Sequence, residues 1–320
     1  MKIGDLMEFA VKQGIKADPR SEDEIKKILE HKKEKYDKLE GIEKEIFDLH
    51  SLESPYADSR IIWGSADTEV DEVWAGIDVD TSELLLIKRQ AEKNKTSPVV
   101  VSHHPLGRSL ANFYEVMDMQ ADILQGMGIP ISIADNITRK RKNEVSRKVA
   151  PVNHFKTQDA ARILDIPTMN IHTPADNHVK RYLDDLFDEE KPIKLNQIID
   201  LLLNIEEYRK SAENGVGPRI LNGSKENRCG KIFVDMTGGT EGDPELVNKL
   251  VDNGISTIVG MHFSEKHYKN AKKANINIII AGHISSDSLG LNLLFGKAVK
   301  KLGEIKIINF GGYIRVKRDG

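Results

Sequence analysis

The chain has little of several features that would fix its class at once. It contains one cysteine, Cys229, among 320 residues. A single thiol excludes an internal disulfide and any zinc site built from several thiolates, so a bound metal would need imidazole and carboxylate ligands. No apolar run approaches the roughly 20 residues that cross a bilayer, and the first residues lack the apolar core of a signal peptide. We therefore expect a cytoplasmic protein without a membrane anchor.

An excess of charge of one sign is also missing. The formal net charge is only −3, although 30% of the residues are charged. Charges that are mixed in this way create no basic field for nucleic acid, which makes nucleic acid an unexpected partner. The run of cations at residues 139–142 is interpreted as a solvated face. The apolar content of 39% is enough for a large core, and a small molecule is the partner to expect.

What the sequence does have is an alternation of strand and helix patterns. The predicted strands are 69–78, 98–102, 129–134, 168–171, 231–236, 256–260, 275–281, 306–308 and 313–317. The predicted helices are 21–48, 81–93, 111–128, 157–165, 177–186, 195–210, 244–252, 265–273 and 289–301, and 213–227 is predicted as a linker or loop. Buried strands that alternate with helices predict an α/β fold of two lobes, with mostly parallel sheets flanked by helices.

The same patterns divide the chain into four segments. Residues 1–56 are predicted as a helical N-terminal segment, and 57–135 as the first part of the α/β core. Residues 136–228 form a central, largely helical insertion region, and 229–320 form the second part of the core. The site described next would lie at the carboxyl ends of strands, between the two lobes.

Two adjacent histidines end one predicted strand. His103 and His104 follow the apolar run 98–102 and precede Pro105. Neighbouring side chains in a regular strand point to opposite faces, so both imidazoles can serve one site only if the strand stops there. Pro105 holds His104 in an extended or turn conformation and ends the strand. Both imidazoles are then expected at the carboxyl edge of a parallel sheet, where ligand sites collect.

Two further strand ends carry metal-type ligands. His172 and Asp176 lie four residues apart after the strand 168–171, and His283 and Asp287 lie four apart after the strand 275–281. If a helix begins near residue 284, this spacing places imidazole and carboxylate on one helix face.

Each cluster alone is weak evidence, because a single histidine is more often a hydrogen-bonded structural residue. The three together favour a metal site for zinc, manganese or iron. His262 and His267 are interpreted as surface or packing residues.

The motifs also resemble those of a known family. They are the segments 101–106 (VSHHPL), 172–176 (HTPAD), 236–239 (MTGG), 264–265 (SE) and 281–290 (AGHISSDSLG). In kind and order they resemble the Nif-three-like family of dinuclear-metal proteins, also known as GTP cyclohydrolase I type 2 homologues. The family usually has Glu at the last ligand position, where this chain has Asp287.

The resemblance implies a set of site residues. The ligands of two divalent metal ions would be His103, His104, Asp176, His283 and Asp287. Asp176 and Asp287 would be the bridging groups, because a carboxylate can span two ions. His172 and Glu265 match positions that line the family's pocket, and they are candidates for proton transfer or substrate contact. The resemblance also implies a ring-shaped homo-oligomer, commonly a hexamer.

Three functional hypotheses follow. The first is a metal-dependent hydrolase, cyclohydrolase-like or phosphoesterase-like, that acts on a nucleotide-type substrate through a metal-activated water. The alternative is a metal-stabilised oligomeric scaffold or regulatory protein-interaction module without turnover. A metal-free carbohydrate or anion-binding protein would require all three clusters to be coincidental. The glycine-rich segment 236–244 is interpreted as a turn, with phosphate binding by its backbone amides as the alternative.

Overall fold

The structure is a computed structural model that describes residues 1–318. Its strands are β1 Ile61–Trp63, β2 Glu72–Gly76, β3 Pro98–Ser102, β4 Thr168–Asn170, β5 Arg219–Asn222, β6 Lys231–Asp235, β7 Ile255–Gly260, β8 Asn277–Ile280 and β9 Lys306–Phe310. Its α-helices are α1 Ile3–Ala17, α2 Glu22–Asp37, α3 Gly41–Glu45, α4 Thr81–Asn94, α5 Gly107–Ala111, α6 Met119–Gly126, α7 Ile131–Val149, α8 Lys156–Leu164, α9 Thr173–Glu190, α10 Leu195–Asn204, α11 Glu206–Glu213, α12 Leu246–Asp252, α13 Glu265–Ala274 and α14 His283–Leu302. Two short 3₁₀ helices span Leu49–Leu52 and Phe113–Asp118.

The strands form two sheets of similar design. The first has the order β1-β4-β3-β2-β9, and the second has the order β5-β8-β7-β6. In each sheet one edge strand, β1 or β5, is antiparallel to its neighbour, and the other pairs are parallel. The predicted α/β class with mostly parallel pairing is therefore confirmed.

Alternating side chains of the strands pack into separate cores. In β7, Val259 packs towards helices α9 to α11 and α14, whereas Ile258 packs towards α6, α12 and α13. In β3, Val101 packs towards α1, α9 and α14, whereas Val100 packs towards α4 and α8. This alternation is what a strand covered on both faces requires.

Helices α9 and α14 form the layer between the sheets. Ala175 and Leu291 belong to the core on the first sheet, whereas Val179 and Leu289 belong to the core on the second sheet. A helix that serves two cores must be apolar on two faces, and the buried residues along α14 fit this requirement. Both helices begin at the site described below.

Several predicted elements differ from those in the structure. Residues 129–134 are not a strand, because α7 begins at Ile131. The buried positions Ala134, Thr138, Arg141 and Val145 follow helical spacing, which a short run rich in isoleucine hides. The predicted loop 213–227 contains β5, and the predicted helix 111–128 is divided into shorter helical pieces.

The predicted strand 313–317 does not form a strand either. This segment is instead held by hydrogen bonds from its backbone to side chains. The backbone amides of Ile314 and Val316 donate to Ser288 Oγ at 3.0 Å and to Asn292 Oδ1 at 3.2 Å. Side chains of α14 therefore satisfy amides that a sheet neighbour would otherwise satisfy.

The predicted four-segment division stays a prediction. Strand β9, in the segment 229–320, joins the first sheet beside β2, so the final segment contributes to both sheets. Residues 319 and 320 of that segment lie outside the described residues. Among residues 1–318, no helix has the length and apolar character to span a membrane.

Candidate metal centre

Three strand ends and the first turns of two helices meet at one place. His103 and His104 follow β3, His172 follows β4, and His283 follows β8. Helix α9 begins at Thr173 and α14 begins at His283, and they carry the carboxylates Asp176 and Asp287. The two sheets thus contribute to one site at their carboxyl edges, as the sequence predicts.

His103 lies at the centre and is completely buried. Its Nδ1 lies 3.0 Å from the carbonyl oxygen of Ile171. A carbonyl only accepts, so Nδ1 carries a hydrogen, and in the neutral imidazole Nε2 is left with a lone pair. Nε2 lies 3.4 Å from Asp176 Oδ1 and 3.5 Å from Asp287 Oδ1. One nitrogen therefore faces both carboxylates.

His172 is oriented in the same way by Asp58. Its Nδ1 donates to Asp58 Oδ2 at 2.7 Å, and its Nε2 lies 3.8 Å from Asp176 Oδ2. Asp58 also accepts the hydroxyl of Thr173 at 2.6 Å. Although burial raises it, these contacts hold the pKa of Asp58 below its usual range. Asp58 is therefore an ionised acceptor that fixes the tautomer of His172.

His104 and His283 complete the group. His104 Nδ1 donates to Asp78 Oδ1 at 2.7 Å, and its Nε2 lies 3.4 Å from Asp287 Oδ2. His283 Nε2 lies 3.5 Å from the same Asp287 oxygen and 3.3 Å from His104 Nε2. Two ring nitrogens this close need a proton or a cation between them, because their lone pairs otherwise repel.

The buried polar atoms of this cluster lack ordinary hydrogen bonds. Within residues 1–318, His103 Nε2, Asp176 Oδ1 and both carboxylate oxygens of Asp287 have no hydrogen-bond partner. A buried carboxylate without a partner is costly, so a cation at this place is needed. Two sets of ligand atoms lie within 4.8 Å of one another: His103, His172 and Asp176, and His103, His104 and Asp287. Imidazole and carboxylate suit zinc, manganese or iron.

The electrostatics of the cluster agree with this requirement. Burial lowers the pKa of His103, but Asp287 and Asp176 outweigh it and raise the value to about 10. Burial raises the pKa of Asp287, but His103 and His104 hold it well below its usual range. The two carboxylates therefore attract positive charge strongly, and a metal ion would compete with protons for the same place.

A second wall of the pocket was not predicted from the sequence. Asp235, at the end of β6, lines the pocket together with Glu241 and His262. The His262 ring lies 4.8 Å from the His283 ring, centroid to centroid. Its interpretation as a surface or packing residue was therefore incomplete, because His262 lies in the pocket. The position of Asp235 at the end of an apolar strand was the available signal. His267 is a packing residue, with Nε2 donating to the Gly242 carbonyl oxygen at 3.1 Å.

Glu265 lies outside this pocket. It begins α13, its side chain is 69% exposed, and it pairs with Lys269 at 3.3 Å. The nearby acid that does line the pocket is Glu241, which accepts the Ser264 amide at 3.0 Å. The other predicted site residues do come together. They are His103, His104, His172, Asp176, His283 and Asp287.

The glycine-rich loop after β6 is fixed from both sides. Gln120 Nε2 donates to the carbonyl oxygens of Gly238 at 2.8 Å and Thr240 at 2.7 Å. Thr237 Oγ1 donates to Asn177 Oδ1 at 2.6 Å. Gly238 and Gly239 have positive φ angles of 97° and 85°, which glycine alone adopts without strain. These contacts support the interpretation of the segment as a turn.

Solved structures agree with the family suggested by the motifs. The chain is similar to a NIF3 superfamily protein from Sphaerobacter thermophilus, with 26% identity, 80% of this chain and 91% of that chain covered, and a TM-score of 0.70. The resemblance to the NIF3-like family is therefore confirmed. A scan against protein-family models and a search among curated proteins each give no match.

Two further solved structures are less similar to the chain. Reduced HcgD from Methanocaldococcus jannaschii is 14% identical, with 78% of this chain and 87% of that chain covered and a TM-score of 0.48. A Bacillus cereus protein related to NIF3 is 12% identical, with 81% and 93% covered and a TM-score of 0.42.

Proposed function

We propose that this NIF3-like protein is a dinuclear-metal hydrolase of the cytoplasm. One observation carries the proposal. His103, His104 and His172 each direct Nδ1 to an oxygen acceptor and Nε2 towards Asp176 or Asp287. Metal-binding histidines are oriented in this way, because the bond at Nδ1 fixes the tautomer that leaves Nε2 free.

The contacts suggest how the ligands divide between two ions. His104, His283 and Asp287 would serve one ion, and His172 and Asp176 the other. His103 has a single free nitrogen and can serve only one ion at a time, while each carboxylate offers two oxygens. The Asp58 contact favours His172 as a ligand over its predicted role in proton transfer. That role stays a prediction.

A pair of bound divalent ions supplies a water that is acidic near neutral pH and a positive charge for the oxygen that becomes anionic. The protein's own residues would orient the substrate against this centre. The pocket is partly open and its cavity volume is only about 50 Å³, so it would admit the reacting group while the rest of the substrate stays outside. A nucleotide-type substrate and a homo-oligomer, a hexamer by resemblance, complete the proposal.

The scaffold hypothesis keeps one supporting observation. The candidate ligands come from both sheets, so bound metal would tie β3 and α9 to α14. A metal that only ties the sheets would stabilise the fold without turnover. A hydrolase needs the same ions and, in addition, open access to them.

Metal analysis is the first experiment. The wild type should carry about two equivalents of metal, and Asp287→Asn and His103→Ala should each carry less. His31→Ala is the matched control, because the His31 side chain is 83% exposed and is not among the residues that line the pocket. Failure of the wild type to bind zinc, manganese or iron would contradict the proposal. A loaded protein that turns over neither nucleotides, cyclic amides nor phosphoesters would favour the scaffold.

A further inference from the structure

Asp235 is an acidic group without a partner on the wall that faces the metal ligands. It is the last residue of β6 and pairs with Gly260 of β7 in the sheet. Its side chain is half-buried and lines the pocket. Among residues 1–318, it makes no hydrogen bond or ion pair, in contrast to the neighbouring Glu241. Such a carboxylate is available to a ligand.

The cations near Asp235 are engaged elsewhere. Lys180 Nζ donates to Val234 O at 3.1 Å and to Asp184 Oδ2 at 3.0 Å, on the buried side of the strand. Arg141 contacts Glu241, and no lysine or arginine within the described residues lines the pocket. Lys180 and His262 favour the ionised form of Asp235 from a distance, but among residues 1–318 neither forms an ion pair with it, so its oxygens stay open to a ligand on the pocket side.

Glu241 and Asp235 differ in what they can still accept. One carboxylate oxygen of Glu241 accepts the Ser264 amide, and the other lies 3.4 Å from Arg141. Asp235 has both oxygens free. Burial raises the pKa of Asp235 to about 6, and an ionised form at slightly alkaline pH follows.

We propose that Asp235 binds the substrate by accepting hydrogen bonds from an N–H-bearing group, such as that of an amino-substituted cyclic amide. The inference rests on the proposed hydrolase function and narrows its substrate class. A phosphate placed between the metals and Asp235 would meet a negative charge at short range, where Coulomb repulsion is large. Phosphate sites instead place arginine, lysine or backbone amides around the anion.

We expect a large difference in affinity between ligands that carry an N–H donor and ligands that lack one. An N–H donor that pairs with a carboxylate gains a charge-assisted hydrogen bond, which is stronger than a neutral one. A ligand without such a donor leaves Asp235 desolvated and unpaired, which weakens its binding. The cyclic-amide alternative of the proposed function is therefore favoured over the phosphoester alternative.

The test compares two ligands on metal-loaded full-length protein at about pH 8. Isocytosine, an amino-substituted cyclic amide, and inorganic phosphate are titrated into wild type, Asp235→Asn and the control Asp67→Asn, whose side chain is 83% exposed. Isocytosine should bind Asp235→Asn at least about tenfold more weakly than wild type. Phosphate should bind Asp235→Asn more tightly than wild type, and Asp67→Asn should match wild type for both.

Metal content and thermal midpoint are measured on every sample. A wild type without metal would contradict the proposed hydrolase and not the reasoning about Asp235. With metal bound, equal isocytosine affinities in wild type and Asp235→Asn would overturn the inference. No measurable isocytosine binding to the loaded wild type, or phosphate binding that Asp235→Asn leaves unchanged, would overturn it as well.

Discussion

At the scale of single residues, the site depends on side chains that are not ligand candidates. Asp58, Asp78 and the carbonyl of Ile171 each accept the Nδ1 hydrogen of one imidazole. Without such an acceptor an imidazole can rotate or change tautomer, and Nε2 then no longer faces the carboxylates. The acceptors should therefore control metal affinity.

We predict that Asp58→Asn weakens metal binding by about 10–100-fold, because an amide holds the His172 tautomer less firmly than a carboxylate. The substitution keeps one acceptor oxygen for the Thr173 hydroxyl, and the new amide NH2 can donate to the Ser59 hydroxyl, so the local fold should persist. Affinity is measured by competition with a chelator of known strength. Asp159→Asn is the control, since the Asp159 side chain is exposed and forms an ion pair with Arg162. Equal affinities in Asp58→Asn and wild type would contradict the prediction.

The sequence predicts the ligand candidates but not the residues that orient them. His103, His172 and His283 each follow an apolar strand, and this pattern is local. Asp58 and His172 are 114 positions apart, and no local pattern relates them. Asp235 ends a strand as well, yet one acid without a histidine beside it resembles many strand ends. Glu265 was predicted only from the resemblance.

At the scale of elements, the site is set by how closely two helices approach. In α14, a Cβ at Gly290 would lie 2.5 Å from the carbonyl oxygen of Ala175 and 2.9 Å from Val179 Cγ2. Ala175 is adjacent to Asp176 in the first turn of α9. The packing of α14 on α9 therefore fixes the position of Asp176 relative to the sheet edge.

We predict that Gly290→Ala destabilises the fold by about 1–3 kcal/mol, because the added methyl meets backbone atoms that cannot rotate away. It should also weaken metal binding by displacing Asp176. Both effects are measured, as the midpoint of thermal unfolding and as metal affinity. The matched control is Gly126→Ala in α6, where an added Cβ meets nothing within 4 Å. A Gly290→Ala protein with unchanged midpoint and affinity would refute the prediction.

Element type is predicted best where the pattern is long. The capping box at Ser21 predicts the start of α2, and the structure contains both of its hydrogen bonds. The predicted strand at 129–134 was wrong because four or five apolar residues fit either type of element. The sequence could not reveal that β9 returns to β2, since that pairing joins residues more than 200 positions apart.

At the scale of the whole molecule, the candidate centre lies where the two sheets are joined. Helices α9 and α14 pack on both sheets, so an apolar layer connects the two halves independently of any ion. Metal would add a second connection at the ends of β3, β4 and β8. The fold should therefore survive metal removal with reduced stability.

We predict that chelation lowers the midpoint of thermal unfolding without unfolding the protein at room temperature. A ligand present at a hundred times its dissociation constant stabilises the native state by about 2.7 kcal/mol, and chelation removes this contribution. Asp287→Asn should show a smaller shift of the unfolding midpoint on chelation, because its candidate ligand set lacks one carboxylate. Circular dichroism after chelation distinguishes the possibilities: a native spectrum agrees with a connected apolar layer. An unfolded spectrum would mean that the metals, rather than α9 and α14, hold the sheets together.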